Sequence, residues 1–144
     1  MWSDTLLAFE RLHLEWLMLW AGASALLGAA LLVILVARRA RAPLVFHFAA
    51  QTAMWGAVEL AFAAFRWRGL AERDYPGAVR LAWTLRMSIG TELALIALAV
   101  TLAGAGWAIT RRLSTVGAGV AIAAQGAALL LLDASLLGRI VLPG

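Results

Sequence analysis

Residues 16–43 decide the fold and read WLMLWAGASALLGAALLVILVARRARAP. Residues 16–37 of this stretch are almost entirely apolar, and a helix that crosses a bilayer needs about 20 such residues. The run stops at three arginines followed by Pro43, which cannot continue a helix. It is too long for the core of a signal peptide and is followed by charge instead of a small-residue cleavage site. We therefore expect a retained first membrane span.

Three further apolar runs follow, at about residues 44–65, 81–109 and 113–137. A turn signal at residues 74–77, Asp-Tyr-Pro-Gly, precedes the third run. None of the runs shows the period-two alternation of a lipid-exposed strand, so helices are the expected spanning elements. The sequence predicts an all-α polytopic membrane protein, a single domain over residues 1–144 that folds as an antiparallel bundle of four transmembrane helices.

The composition excludes several classes of function. Of 144 residues, 64% are apolar and 14% are charged, whereas soluble domains average about 45–50% and about 25%. Cysteine is absent, which excludes disulfides, thiolate metal sites and cysteine nucleophiles. The twelve basic residues are dispersed beside the apolar runs, which disfavours nucleic-acid binding. No phosphate loop, nucleophile elbow or zinc-binding HExxH pattern occurs, so we expect neither an enzyme nor a metal site.

A short internal similarity links the second and fourth runs. Gln51 follows two alanines and precedes Glu59 by eight residues, and Gln125 precedes Asp133 in the same way. One interpretation is that the chain consists of two similar hairpins, with the amides and carboxylates facing each other at the centre. The alternative is a chance match.

Ionisable residues inside a membrane span are costly and usually face the interior of the bundle. The predicted intramembrane polar cluster consists of Glu59, Arg86, Glu92 and Asp133. One interpretation is a proton or cation site in which Arg86 keeps one carboxylate ionised. The other is that interhelical ion pairs hold the bundle together.

A polar stripe recurs every four residues on the second run, at His47, Gln51, Trp55 and Glu59, and Gln125 is its counterpart on the fourth run. It could line a proton path or bind a cofactor through His47. Alternatively, His47 lies at the headgroups and the other side chains bond neighbouring helices. Near the start of the chain, Glu10, His13 and Glu15 are interpreted as solvated interface residues that bind no metal.

Charge and tryptophan placement predict an orientation. The first run has more arginines behind it than ahead of it, which places the two short turns in the cytoplasm and both termini outside. The predicted cytoplasmic turn arginines are Arg38, Arg39, Arg41, Arg111 and Arg112. The predicted interface anchors are Trp16, Trp20, Trp67, Trp83 and Trp107. The connection at residues 66–80 is expected to lie on the membrane surface.

Several short stretches carry a family resemblance: Phe46-His47, WGAVEL at residues 55–60, and residues 117–119 leading to Gln125-Gly126 and LLLD at residues 130–133. They resemble an uncharacterised family of small bacterial four-helix integral membrane proteins. The resemblance implies a four-span fold and no known activity. We expect the protein to lie in a bacterial cytoplasmic (inner) membrane. It also implies a neutral amide at the position of Glu59, a difference that favours a structural role for this residue.

These features lead to three hypotheses about function. The leading one is a non-catalytic accessory subunit that packs against a larger membrane complex, for example a photosynthetic or respiratory assembly. The alternative is a small oligomeric transporter or proton-coupled channel that uses the intramembrane carboxylates. The third is a cofactor carrier using His47. We predict no resident cofactor, although lipid or pigment could contact the helix surface, and the expected partners are membrane lipids, other membrane subunits and further copies of this chain.

Overall fold

The computed structural model describes residues 2–140, and residues 1 and 141–144 of the predicted domain lie outside the described residues. Four α-helices make up this part of the chain: α1 (Trp2–Ala37), α2 (Pro43–Arg68), α3 (Tyr75–Ala108) and α4 (Leu113–Leu137). By length and composition, all four are long and apolar enough to cross a membrane. The predicted all-α fold with four such helices is confirmed.

Two helices begin earlier than the apolar runs that predicted them. α1 begins at Trp2, well before residue 16, and α3 begins at Tyr75, before residue 81. Their first turns mix polar and apolar residues, so a criterion of continuous hydropathy does not detect them. They are helical because one face of each is buried, as Leu6 and Ala78 show.

The helix ends follow local rules. Pro43 and Pro76 lie in the first turns of α2 and α3, where a missing N–H costs nothing. Asp74 caps α3 by accepting a hydrogen bond from the backbone N–H of Gly77 at 2.9 Å. At the end of α1, Arg39 takes the left-handed conformation with φ 49°, and Ala40 N–H donates to the carbonyl of Leu35. This is the Schellman ending, with arginine where glycine is usual.

Small residues set the spacing within the first hairpin. A Cβ added to Gly28 would lie 2.6 Å from the carbonyl oxygen of Ala49, and one added to Gly56 would lie 2.7 Å from that of Ala21. The pairing of these positions shows that α1 and α2 run in opposite directions. Their backbones approach as closely as small-residue packing allows.

The second hairpin and the contact between hairpins are built in the same way. Added Cβ atoms would lie 2.6 Å from the carbonyl oxygen of Ala99 at Gly119 and 2.8 Å from the Ile96 side chain at Gly126, so α3 and α4 also run in opposite directions. Gly117 of α4 packs against the backbone of Leu44 on α2. The second helices of the two hairpins therefore lie side by side at the centre, and the spatial order is α1, α2, α4, α3.

The buried apolar core lies at the end of the molecule where α1 and α3 begin. One cluster joins Leu6 of α1 to Leu81 and Leu85 of α3 and Leu136 of α4. A second cluster joins Leu14 and Leu17 to Ala63 of α2 and lies about two to three turns farther along α1. The early turns of α1 and α3 thus close one end of the bundle and position the residues that follow.

Candidate binding cleft between α2 and α3

A cleft separates α2 from α3, which follow each other in sequence but make no close backbone contact within residues 2–140. It encloses about 450 Å³. Its walls come from α2 and α3, α4 lies behind them, and α1 contributes Leu17. Much of the lining is apolar, including Val58, Phe62, Met87 and Leu129.

The three predicted carboxylic residues of the polar cluster line this cleft together. Glu59 comes from α2, Glu92 from α3 and Asp133 from α4, with exposed fractions of 7%, 6% and 8%. The fourth member is different: Arg86 is exposed and is not among the lining residues, whereas Arg66 of α2 is. Arg66 was counted with the surface connection because it follows the apolar run, but α2 continues to Arg68 and carries it alongside the cleft.

Hydrogen bonding in the cleft is uneven. Glu92 of α3 and Asp133 of α4 line the same cleft, and Ser88 of α3 lines it with them. Among the described residues, both carboxyl oxygens of Glu59 and the Oε2 atom of Glu92 lack a hydrogen-bond partner. Buried polar atoms are normally paired, because an unpaired one loses its hydration without replacement. These atoms are therefore the chemically unsatisfied part of the cleft.

His13 of α1 lies next to Asp133, one of the carboxylic residues of the cleft. Its Nε2 lies 3.4 Å from Oδ1 of Asp133, and the residue is only 6% exposed. The interpretation of His13 as a solvated residue is therefore wrong. The same interpretation is wrong for Glu10, which is 2% exposed. Glu15 is exposed, as expected. A sequence signal was available for this burial. The buried positions 6, 10, 13, 14, 17, 21, 24 and 28 follow one helical stripe that continues ahead of the apolar run.

Glu10 forms a two-point ion pair with Arg73 of the connection between α2 and α3. The Arg73 Nη2 donates to Oε2 of Glu10 at 2.8 Å, and Nε donates to Oε1. This hydrogen bonding raises the pKa of the Arg73 guanidinium above its ordinary value. The pair ties the connection between α2 and α3 to α1.

The polar stripe of α2 does not form one continuous polar wall. His47 is exposed and contacts Phe46 edge to face, Gln51 is half-buried, and Trp55 has a buried indole N–H without a partner among the described residues. Gln125 is buried in α4 and accepts a 2.6 Å hydrogen bond from the indole N–H of Trp20. Trp20 therefore bonds across the bundle from α1 to α4.

The other tryptophans and the turn arginines lie on the surface. Trp16, Trp83 and Trp107 are exposed, whereas Trp67 is half-buried and has the Arg11 guanidinium 5.7 Å from its ring centre. The two short connections share one end of the molecule, since Gly117 packs on Leu44. All five turn arginines are exposed there: Arg38, Arg39, Arg41, Arg111 and Arg112.

The arrangement suits binding more than bond-making chemistry. The volume of the cleft falls within the range of about 300–1,000 Å³ that small-molecule sites occupy. Most of its surface is apolar, although hydroxyl groups also line it, and its unsatisfied groups are acidic. This is the pattern of a site that recognises an apolar body bearing a hydrogen-bond donor or a positive charge.

Comparison with known proteins gives a family and no assigned activity. No curated protein and no solved structure matches the chain. The family of unknown function DUF6992 matches residues 16–134, which include parts of all four helices and every carboxylate of the cleft. The chain therefore belongs to this family of unknown function.

Proposed function

We propose that the protein is integral to a bacterial cytoplasmic membrane and that α1 to α4 cross it as an antiparallel bundle with both termini outside. Large apolar side chains cover the outside of the bundle, for example Leu26, Val33, Phe65 and Leu131, each more than half exposed. A protein in water rarely exposes so much apolar surface, whereas lipid solvates it. The exposed arginines at the end with the two short turns support a cytoplasmic location for that end.

The absence of cysteine makes this topology directly testable. Ala40→Cys lies in the first short turn and Ala71→Cys lies in the connection between α2 and α3. In intact spheroplasts, a membrane-impermeant maleimide is expected to label Ala71→Cys, and to label Ala40→Cys only after permeabilisation. The reverse pattern would contradict the orientation, and labelling of both without permeabilisation would contradict the topology.

Within that membrane, we propose that the protein is a small oligomeric, cation- or proton-coupled transporter that uses the carboxylates of the α2–α3 cleft. The observation that carries this proposal is Glu59, which is buried in the cleft and has no hydrogen-bond partner among the described residues. A carboxylate that only fixed a bundle would be paired across helices, because an unpaired one is destabilising. Its presence in this position supports a role in binding.

The size of the cleft favours this function over a docking site for a helix of a larger complex. A spanning helix about 10 Å wide and about 30 Å long fills roughly 2,400 Å³, which is more space than the cleft provides. The cleft accommodates a small ligand or a few side chains only. Oligomerisation then supplies the pathway that four helices are too few to enclose.

Transport is tested in liposomes that contain the purified protein and a pH-sensitive dye inside. An imposed gradient of protons or of organic cations is expected to dissipate faster than in empty liposomes, and Glu59→Gln or Glu92→Gln is expected to abolish the difference. Glu15→Gln is the matched control, since it removes an exposed carboxylate outside the cleft. Flux that persists in both cleft variants would overturn the proposed mechanism.

The non-catalytic accessory subunit is the second candidate, and a separate surface favours it. Trp16, Leu19 and Trp20 of α1 form an apolar groove of about 370 Å³ with Leu131 of α4. Aromatic side chains at such a surface suit contact with another membrane subunit, lipid or pigment. Purification from native membranes in mild detergent, followed by mass spectrometry and visible absorption, is expected to recover a stoichiometric complex if this candidate is correct and the chain alone if it is a transporter.

A further inference from the structure

We propose that the α2–α3 cleft binds an amphipathic organic cation, one apolar body with a single positive centre, which enters sideways from the bilayer. This inference rests on the proposed function as a transporter and names its substrate class.

The edges of the cleft admit a lipid-soluble body. Phe62 on α2 and Met87 on α3 line opposite walls, and their exposed fractions are 58% and 52%. Because α2 and α3 do not pack together, the space between these side chains opens toward the side of the bundle. A molecule already dissolved in the lipid reaches the cleft there without crossing a layer of water.

The interior of the cleft selects for positive charge. Three carboxylic side chains line it against the single guanidinium of Arg66, which lies 5.9 Å from the ring centre of Phe62. Glu59 is 93% buried, as follows from its exposed fraction of 7%, and both of its oxygens lack partners among the described residues. A cationic centre beside Glu59 satisfies that carboxylate, whereas an anion is repelled.

The apolar part of the lining narrows the chemical class of the ligand. Val58, Phe62, Met87 and Leu129 supply apolar surface that cannot hydrogen-bond to a hydrated ion. Thr84 and Thr91 also line the cleft, but their hydroxyls already donate to backbone carbonyls of α3, at 2.9 and 3.0 Å. An organic ion replaces water on these surfaces and gains free energy by doing so. The volume of about 450 Å³ accommodates several aromatic rings.

Two ions of the same shape and opposite charge test this inference. Binding of tetraphenylphosphonium and tetraphenylborate to the purified full chain in nonionic detergent is measured by equilibrium dialysis, with protein-free micelles subtracted. We expect saturable binding of the phosphonium and none of the borate. Glu59→Gln is expected to weaken phosphonium binding by about tenfold or more, and Glu15→Gln is expected to leave it unchanged. Saturable binding of both ions, or of neither, would overturn the proposal.

A second variant tests shape without changing charge. Val58→Trp fills the cleft from α2 at a position that is already 55% exposed, so the packed side of the helix is untouched. It is expected to lose phosphonium binding while it elutes from a sizing column like the unmodified protein. If Val58→Trp binds the phosphonium normally, the ion does not occupy this cleft and the proposal fails.

The flux measurement and the binding measurement together distinguish this inference from the proposed function. Saturable phosphonium binding that depends on Glu59, without carboxylate-dependent flux in liposomes, supports the ligand class and overturns transport. Carboxylate-dependent proton flux without phosphonium binding supports transport and overturns the ligand class.

Discussion

The two sides of α2 differ sharply in how they meet their neighbours. Toward α1, Ala49 and Gly56 let two helix backbones touch, so this interface has no space for even one more methyl group. Toward α3, Val58, Glu59 and Phe62 line an open cleft, and no close backbone contact forms within residues 2–140. Helix spacing follows side-chain size, and a single helix can supply both a rigid interface and a binding site only three residues apart. The contrast suggests that the first hairpin is a rigid support for the cleft.

The largest effect is expected from breaking the tight interface. Gly28→Ala places a Cβ against the backbone of Ala49 and Ala53, which cannot move aside without separating α1 from α2. We expect a loss of about 3 kcal/mol in the free energy of unfolding, at the upper end for overpacking. Gly22→Ala is the matched control in the same helix, because nothing lies within 4 Å of its added Cβ. The free energy of unfolding of this control is expected to rise by up to about 1 kcal/mol, because alanine has a higher helix propensity than glycine. Equal melting temperatures of the two variants in detergent would contradict the tight contact.

A smaller loss is expected from releasing the connection between α2 and α3. Arg73→Ala leaves the carboxylate of Glu10 buried without its two-point partner. The expected cost is about 2 kcal/mol, below the usual figure for a fully buried pair because the Arg73 side chain is 33% exposed. Arg68→Ala removes an exposed arginine from the end of α2 and serves as the control. Thermal unfolding followed by circular dichroism measures both. The role of the pair is refuted if Arg68→Ala is the more damaging change.

Unlike the two substitutions above, a substitution in the cleft is expected to raise the free energy of unfolding. Glu59→Leu replaces an unpartnered buried carboxylate by an apolar group, which removes a desolvation cost and raises stability by about 1–2 kcal/mol. The same variant is expected to lose function, which is the usual trade-off at a binding site. Glu15→Leu, at an exposed position of α1, should melt close to the unmodified protein. A Glu59→Leu variant that melts below the unmodified protein would show that Glu59 is paired in the membrane and supports the fold.

The smallest effect concerns the hydrogen bond between α1 and α4. Trp20→Phe keeps most of the ring and removes the N–H that bonds Gln125, so one buried amide oxygen loses its partner. The expected cost is about 1 kcal/mol. Trp16→Phe changes an exposed ring and is the control. If the two variants unfold at the same temperature, the indole bond contributes nothing measurable.

Most of the helical fold could be predicted because each helix carries its own signal. Apolar runs long enough to span a bilayer need no partner to be recognised, and Pro43 and the turn before Gly77 mark where helices begin. The first turns of α1 and α3 were not predicted. They are helical because Leu6 and Ala78 are buried by residues far away in the sequence.

The site was predictable in part for the same reason. Glu59, Glu92 and Asp133 stand out because charge is rare in apolar helices, and the cleft contains all three. Arg66 and His13, which accompany these carboxylates, do not stand out in the sequence in this way. Arg66 and Arg86 both lie near the ends of apolar runs, and only the rotation and length of α2 and α3 decide that Arg66 lines the cleft while Arg86 is exposed.

By itself, therefore, the sequence determined that this protein has four long apolar runs that form helices, with acidic residues inside three of these runs. These are local properties, since hydropathy, helix propensity and turn chemistry act over one or two turns of chain. Only the tertiary structure decided which helices pack together, that α2 and α3 stand apart, and that His13 and Arg66 accompany the carboxylates. Those outcomes depend on where small residues let two helix backbones meet, as Gly117 meets the backbone of Leu44 across the hairpins. Such contacts join residues that are distant along the chain.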